Sequence, residues 1–76
     1  MSLNQVNAGQ TAIITGVDAG DYLLQRMTAL GLRRGRRVSV IRRARFGGPL
    51  HVRVGLTEVM IRGNDAATLQ VNVDAD

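Results

Sequence analysis

Residues 36–54 read RRVSVIRRARFGGPLHVRV, two runs of alternating apolar and polar side chains joined by a Gly-Gly-Pro turn. Val38 and Val40 share one face of the first run, and residues 50–54 alternate in the same way, as β-strands require. The alternation slips near Ile41, where we expect a β-bulge. The middle of the chain is therefore predicted to form an antiparallel hairpin.

A helix is predicted on the N-terminal side of this hairpin, over residues 22–30. Leu23 and Met27 stand four residues apart and so share one helical face. Asp21 stands where a side-chain oxygen can accept hydrogen bonds from the free N–H groups of the first turn. Gly31 suits the left-handed residue that often ends a helix. Both ends of the helix are thus indicated by the sequence.

Further strands complete the pattern, at residues 11–17, 59–61 and 69–73. Gly16 is typical of a bulge or of a close backbone approach, and a helical turn capped by Asn64 or Asp65 is expected before the last strand. We predict an all-β fold, a small SH3-like, partly open barrel of about five strands with one short helix inserted after the first strand. It is expected to be one domain over residues 1–76, with a candidate expression remnant at 1–3 and a frayed tail at 74–76.

Charge is distributed unevenly along the chain. All ten basic residues are arginines, and nine of them lie between Tyr22 and Thr57, where no acid occurs. Such asymmetry is typical of proteins with an acidic or phosphate-bearing partner, although a solvated barrel face has the same appearance. The arginines that we predict to face outward and to contact a partner are Arg37, Arg42, Arg43, Arg45 and Arg53.

The side chains that catalysis or tight metal binding requires are missing from the sequence. It contains no cysteine and one histidine, His51, on the predicted outer face of a strand. Asp18 and Asp21 stand at a helix start, where capping and the helix dipole account for them. No nucleophile, base and orienting group fall in register, and no set of metal ligands converges. We therefore expect no enzyme activity, no catalytic or metal-site residues and no cofactor.

Membrane and export signals are also missing. No apolar run approaches the roughly 20 residues that cross a bilayer, and no basic segment followed by an apolar core opens the chain. The lack of cysteine fits a reducing compartment. These observations predict a soluble cytoplasmic protein.

Nucleic-acid binding and self-association are the alternatives that the residues leave open. The same arginines could contact phosphates, but Tyr22 and Phe46 are the only aromatic residues. Small barrels that bind single strands interleave basic groups with aromatic platforms, so protein binding is favoured. Weak self-association through unpaired strand edges is the third hypothesis.

The order of glycines and apolar residues resembles the FeoA family, small proteins that accompany the bacterial ferrous-iron transporter FeoB. The family pattern is matched by the segment Ala29-Leu30-Gly31-Leu32, then Gly35 and Val38-Ser39-Val40, and later by Arg62 and Asp65-Ala66. Three positions depart from it: Arg34 where proline is frequent, Asp65 where glutamate is usual, and Met60 at an often small position. None of these changes would break a barrel.

The resemblance implies an accessory or regulatory role in ferrous iron uptake, exerted through the G-protein portion of the transporter. It implies no enzyme activity, no small-molecule substrate and no established iron site. It also implies a cytoplasmic protein that its FeoB-type partner recruits to the inner face of the membrane. The same domain type ends metal-dependent repressors of the DtxR class, so a DtxR-type regulatory interaction module is the alternative.

Overall fold

One antiparallel sheet of five strands forms the frame of the protein. The computed structural model describes residues 1–73. Its elements are a 3-10 helix Leu3–Gln5, β1 Thr11–Val17, α1 Asp21–Ala29, β2 Arg37–Arg43, β3 Leu50–Val54, β4 Thr57–Ile61, α2 Gly63–Ala66 and β5 Leu69–Val73. The predicted frayed tail, residues 74–76, lies outside the described residues.

The strands lie in the order β4-β3-β2-β1-β5, and every neighbouring pair is antiparallel. The sheet therefore has β4 at one edge and β5 at the other, and it is not closed into a continuous barrel. The outer edge of β5 is covered by the start of the chain, because Val71 N donates to Met1 O (2.8 Å) and Ser2 bridges to Gln70. The prediction of a partly open five-strand barrel with a helix after β1 is confirmed.

Both predicted bulges are present. The register of β1 against β5 shifts between Ile14 and Gly16, and that of β2 against β3 shifts between Val40 and Arg42. The second shift reverses which residues of β2 face inward, since an extra residue in a strand moves every later side chain to the other face. Arg43 therefore lies opposite the buried Leu50 rather than on the outer face.

The core lies between the sheet, α1 and the N-terminal segment. Leu3 and Val6 are completely buried in it, so the opening residues are part of the packed structure. Met27 of α1 is buried as well, and Leu23 and Leu30 pack partly buried beside it, as their spacing predicted. Full burial of a large apolar side chain such as Met27 contributes about 1.5–3 kcal/mol. The other core residues are Ala12, Ile14, Leu32, Val38, Val40, Leu50, Val52, Val54, Ile61, Ala66, Leu69 and Val71.

The predicted caps at the helix starts are wrong, whereas the predicted helix end is confirmed. Gly20 is the N-cap of α1, and Asp21 is the first helical residue, where its carboxylate meets the positive end of the helix dipole. Arg62 is the N-cap of α2, again without a side-chain hydrogen bond. α2 starts earlier than predicted, at Gly63, where the chain passes close to the 44–48 loop. Gly31 has the expected positive φ of 88°.

The β2–β3 connection also differs from the predicted alternation. β2 ends at Arg43, and Ala44 and Phe46 are exposed instead of continuing its inward face. Phe46 has a φ of 59°, the left-handed region that bulky residues rarely adopt. Its side chain projects from the tip of the loop into solvent.

Across residues 1–73, no helix has the length and apolar character needed to cross a bilayer.

Candidate partner-binding face

The face of β2, β3 and β4 that points away from the core is the candidate site, and we call it the outer face. Antiparallel partners lie directly opposite each other and share a face of the sheet. One row across it holds Arg42, His51 and Met60, and the next holds Ser39, Arg53 and Glu58. The rows place basic, polar and apolar side chains side by side on an exposed, gently twisted surface.

Glu58 joins the two rows. Its Oε1 accepts from His51 Nε2 (2.8 Å), and its Oε2 accepts from Arg53 Nη2 (3.0 Å). An ionised carboxylate can only accept hydrogen bonds, so the His51 proton lies on Nε2 in this arrangement. The hydrogen bond from Arg53, followed by that from His51, holds the pKa of the Glu58 carboxyl below its ordinary value. All three side chains remain solvent-accessible, so the cluster is a surface ion-pair network.

The five arginines predicted to contact a partner divide into groups. Arg42 and Arg45 are exposed, and neither side chain has an ion pair or hydrogen bond with another residue of the described chain. Arg53 forms an ion pair with Glu58, with 3.0 Å between Nη2 and Oε2. Arg37 is exposed at the start of β2, opposite Ile13 of β1. These four lie along β2, β3 and the loop between them, which agrees with their predicted outward placement.

Arg43 has a different environment. Its Nη1 donates to Val6 O (3.1 Å) and its Nη2 donates to Asn4 O (2.6 Å), so the guanidinium holds the 3-10 segment against the end of β2. The bulge before it explains this placement, because it turns the side chain of Arg43 toward the core side of the sheet. Its role in contacting a partner stays a prediction.

The sequence analysis did not identify Glu58 as the acid of this face, because the segment from Gly55 to Glu58 could be read as a turn or a strand edge. The signal was available in the two-residue connection Gly55-Leu56. A two-residue hairpin loop fixes the pairing of the flanking strands, so Arg53 must lie opposite Glu58. The outer face is therefore less positive than the linear charge pattern indicated, and its excess positive charge is concentrated at Arg42, with Arg45 in the adjoining β2–β3 loop.

The described surface has no feature of a small-molecule site. No cavity opens on residues 1–73, and no three His, Asp or Glu side chains of this range converge as metal ligands do. His51 has Glu58 as its acidic neighbour and is part of the ion-pair network. Chemically, this arrangement can present exposed guanidinium groups to a negatively charged surface.

A small SH3-like barrel with a basic sheet face is the class of protein that these features define. The family model for the FeoA domain matches residues 1–73. The chain therefore belongs to the FeoA family, a ferrous iron transport accessory domain, which confirms the resemblance found in the sequence.

Solved structures agree with this assignment. The FeoA protein of Chlorobium tepidum is 33% identical with a TM-score of 0.89, over 99% of this chain and 71% of its own. FeoA of Stenotrophomonas maltophilia, an SH3-domain protein in complex with zinc, is 28% identical with a TM-score of 0.82, over 95% and 89%. Iron(II) transport protein A from Clostridium thermocellum is 22% identical with a TM-score of 0.89, and the match covers 96% of this chain but only 45% of that one.

A manganese-dependent transcriptional repressor shares the fold as well. It is 22% identical, with a TM-score of 0.86 over 95% of this chain and 40% of the repressor. At that identity the likeness concerns the fold alone. Among curated protein sequences none matches this chain.

Proposed function

We propose that this chain is a non-enzymatic accessory protein of ferrous iron uptake, which binds the cytoplasmic G-protein portion of a FeoB-type transporter. Membership of the FeoA family supports the pathway. The observation on which the partner rests is that Arg42 on the outer face and Arg45 in the adjoining loop form no ion pair within residues 1–73. A partner surface rich in carboxylates is the complement that such a face needs.

The proposed contact uses Arg37, Arg42, Arg45 and Arg53, and Arg43 assists it by holding the adjacent segment in place. Exposed arginines mainly raise the association rate and select the partner, while each adds little affinity. Arginine also forms bidentate bonds with carboxylates, which a lysine cannot do. We therefore infer a salt-sensitive complex in the cytoplasm, with recruitment to the inner face of the membrane through the transporter.

Capture of the transporter from detergent-solubilised membranes of the source organism tests the proposal. Immobilised wild-type protein should retain FeoB, and the double variant Arg42→Glu/Arg45→Glu should lose most of it. The matched control is Arg33→Glu/Arg34→Glu, which makes the same charge change away from the outer face and should retain FeoB. If wild type and the Arg42/Arg45 variant recover equal amounts of FeoB, the outer face does not bind the transporter. If the wild type recovers no FeoB, the proposed partner is wrong.

Nucleic-acid binding is the second candidate, favoured by the unpaired arginines. The positions of the two aromatic side chains do not support it. The Tyr22 ring lies on α1 with the Arg26 guanidinium 6.0 Å from its centroid, and Phe46 is in the β2–β3 loop. Neither aromatic side chain lies on the outer face. Fluorescence anisotropy with mixed-sequence DNA and RNA at near-physiological salt separates the candidates, and titratable binding there would favour nucleic acid.

The regulatory module of DtxR type and weak self-association are the remaining alternatives. The repressor likeness is a likeness of fold, and β4 is a sheet edge that could pair with a second copy. Light scattering at high protein concentration tests the latter, and a monomer would exclude a stable dimer.

A further inference from the structure

One end of the barrel presents a fully exposed aliphatic side chain on a rigid turn. Val54 and Thr57 pair across the β3–β4 hairpin, which leaves only Gly55 and Leu56 in the loop. Gly55 has a φ of 61°, as such tight hairpins require at their first position. Leu56 is 104% exposed, so its whole side chain projects into solvent. The apolar group is thus held in a fixed position by the flanking strands.

Arginines of the neighbouring loop lie beside this turn. The loop after α1 approaches β3, since a Cβ on Gly31 would lie 3.5 Å from Val54 Cγ1. Arg36 reaches the turn itself: its Nη2 lies 3.1 Å from the position of a Cβ on Gly55. Arg33 and Arg34 belong to the same loop, whose turn is closed by a hydrogen bond from Arg36 N to Arg33 O (3.1 Å).

These three cations are not neutralised within the described chain. The ion pairs among residues 1–73 all involve Glu58, which is bound to His51 and Arg53 on the outer face. Arg33 and Arg34 are exposed, and Arg36 is partly buried. The end of the barrel therefore combines an apolar tip with three unneutralised guanidinium groups, and we call it the Leu56 tip.

We propose that the Leu56 tip binds directly to an anionic membrane surface. The headgroup region of a bilayer is the partner that takes both parts of the tip: Leu56 would enter the acyl boundary, and the arginines would meet lipid phosphates at headgroup level. Arginine stems can extend along apolar surface while the guanidinium stays at the interface. The contact needs no transporter, so it goes beyond the proposed function.

A membrane fits these observations better than a protein or a nucleic acid. A stable protein interface buries roughly 800 Å² on each partner around an apolar core, whereas this end offers one isolated leucine. Nucleic-acid bases stack on aromatic rings, and an aliphatic side chain cannot serve as such a platform. A fluid bilayer accepts a single protruding aliphatic group without a matching pocket.

Vesicle co-sedimentation at low salt tests the proposal with wild-type protein. Vesicles of phosphatidylcholine with phosphatidylglycerol should bind it, and pure phosphatidylcholine vesicles should not. Leu56→Gln should weaken binding by about 10-fold or more, the value of burying one leucine. Arg33→Gln/Arg34→Gln should weaken it by about 25-fold, since each cation near an anionic surface is worth about 5-fold. Phe46→Gln is the matched control, because Phe46 is equally exposed but in the β2–β3 loop, and it should bind as wild type does.

Trp substitution gives a second, direct measurement, because the chain contains no tryptophan. Leu56→Trp should bind anionic vesicles, and its emission should shift to shorter wavelength as the indole enters the interface. Phe46→Trp should show no shift. The proposal is overturned if wild type fails to bind anionic vesicles, if Leu56→Gln binds unchanged, or if both tryptophans shift equally. If Leu56→Gln no longer captures FeoB in detergent and the wild type does not bind vesicles, then Leu56 contacts a protein instead. That result would also overturn the proposal.

Discussion

Replacing Arg43 with alanine tests whether this arginine has a structural role that the neighbouring arginines lack. The change removes two hydrogen bonds, to Val6 O and Asn4 O, which attach the 3-10 segment to the end of β2. Hydrogen bonds from a charged donor contribute about 1.5–3 kcal/mol each when sheltered. One of these is partly buried and the other exposed, so we expect a total loss of about 1–2 kcal/mol after solvent screening.

That loss is large for a domain of this size. A 76-residue chain has a net stability of about 4–11 kcal/mol, and 1 kcal/mol moves the Tm of such a small domain by about 4–8 °C. Thermal unfolding followed by circular dichroism should therefore show the Tm of Arg43→Ala lowered by about 5–15 °C. Amide exchange should also speed up at Val6 N, whose hydrogen bond to Leu3 O closes the 3-10 helix.

Arg42→Ala is the matched control. Arg42 directly precedes Arg43 in β2, and its side chain is exposed and makes no hydrogen bond in the described chain, so its loss should change stability by less than about 0.5 kcal/mol. Arg43→Lys should fall between the two, because an ammonium group cannot span both carbonyls as the guanidinium does. Equal Tm values for Arg42→Ala and Arg43→Ala would refute the structural role of Arg43.

Two further predictions concern Gly63 and Glu58. A Cβ on Gly63 would overlap Gly47 O and lie 3.0 Å from Gly47 C. Gly63→Ala should therefore lower the free energy of unfolding by about 2–3 kcal/mol, measured by denaturant unfolding. Gly16→Ala is the control: it has open space around it, and it should change that free energy by less than about 1 kcal/mol. Because its folded-state pKa is lowered, Glu58 stabilises the fold above its unfolded pKa and loses that contribution as pH falls through the folded value. An NMR titration should place its midpoint below the ordinary glutamate value, and Arg53→Gln should raise it; no change would contradict the contact.

The periodic elements of this fold could be predicted from the sequence, because burial imposes its pattern on them directly. The alternation in β2 and β3 and the spacing of Leu23 and Met27 each report a buried face. The bulge at Ile41 was visible as a slip in that alternation. The helix starts were less predictable, because Asp21 and Asp65 have cap chemistry but lie within the first turns of their helices.

The candidate site could be predicted only in part. Linear order shows a run of arginines without acids, but it does not show which carboxylate a hairpin brings back to them. Glu58 is five residues from Arg53 in sequence, and the Gly55-Leu56 loop places it directly opposite. Arg43 could not be separated from Arg42 by residue type, because the difference arises from one extra residue in the strand and from a carbonyl 37 positions away in the chain.

The bulge between Val40 and Arg42 also has an evolutionary consequence. Before the bulge the even-numbered residues Val38 and Val40 face the core, and after it the odd-numbered Arg43 lies on the core side. Deleting the extra residue, Ile41, would restore a regular strand and leave Arg42 opposite His51 and Arg43 opposite Leu50, so the attachment to Val6 should survive. A strand that kept Ile41 but paired without the bulge would instead turn Arg43 outward, and relatives with such a strand should attach their N-terminal segment by some other side chain.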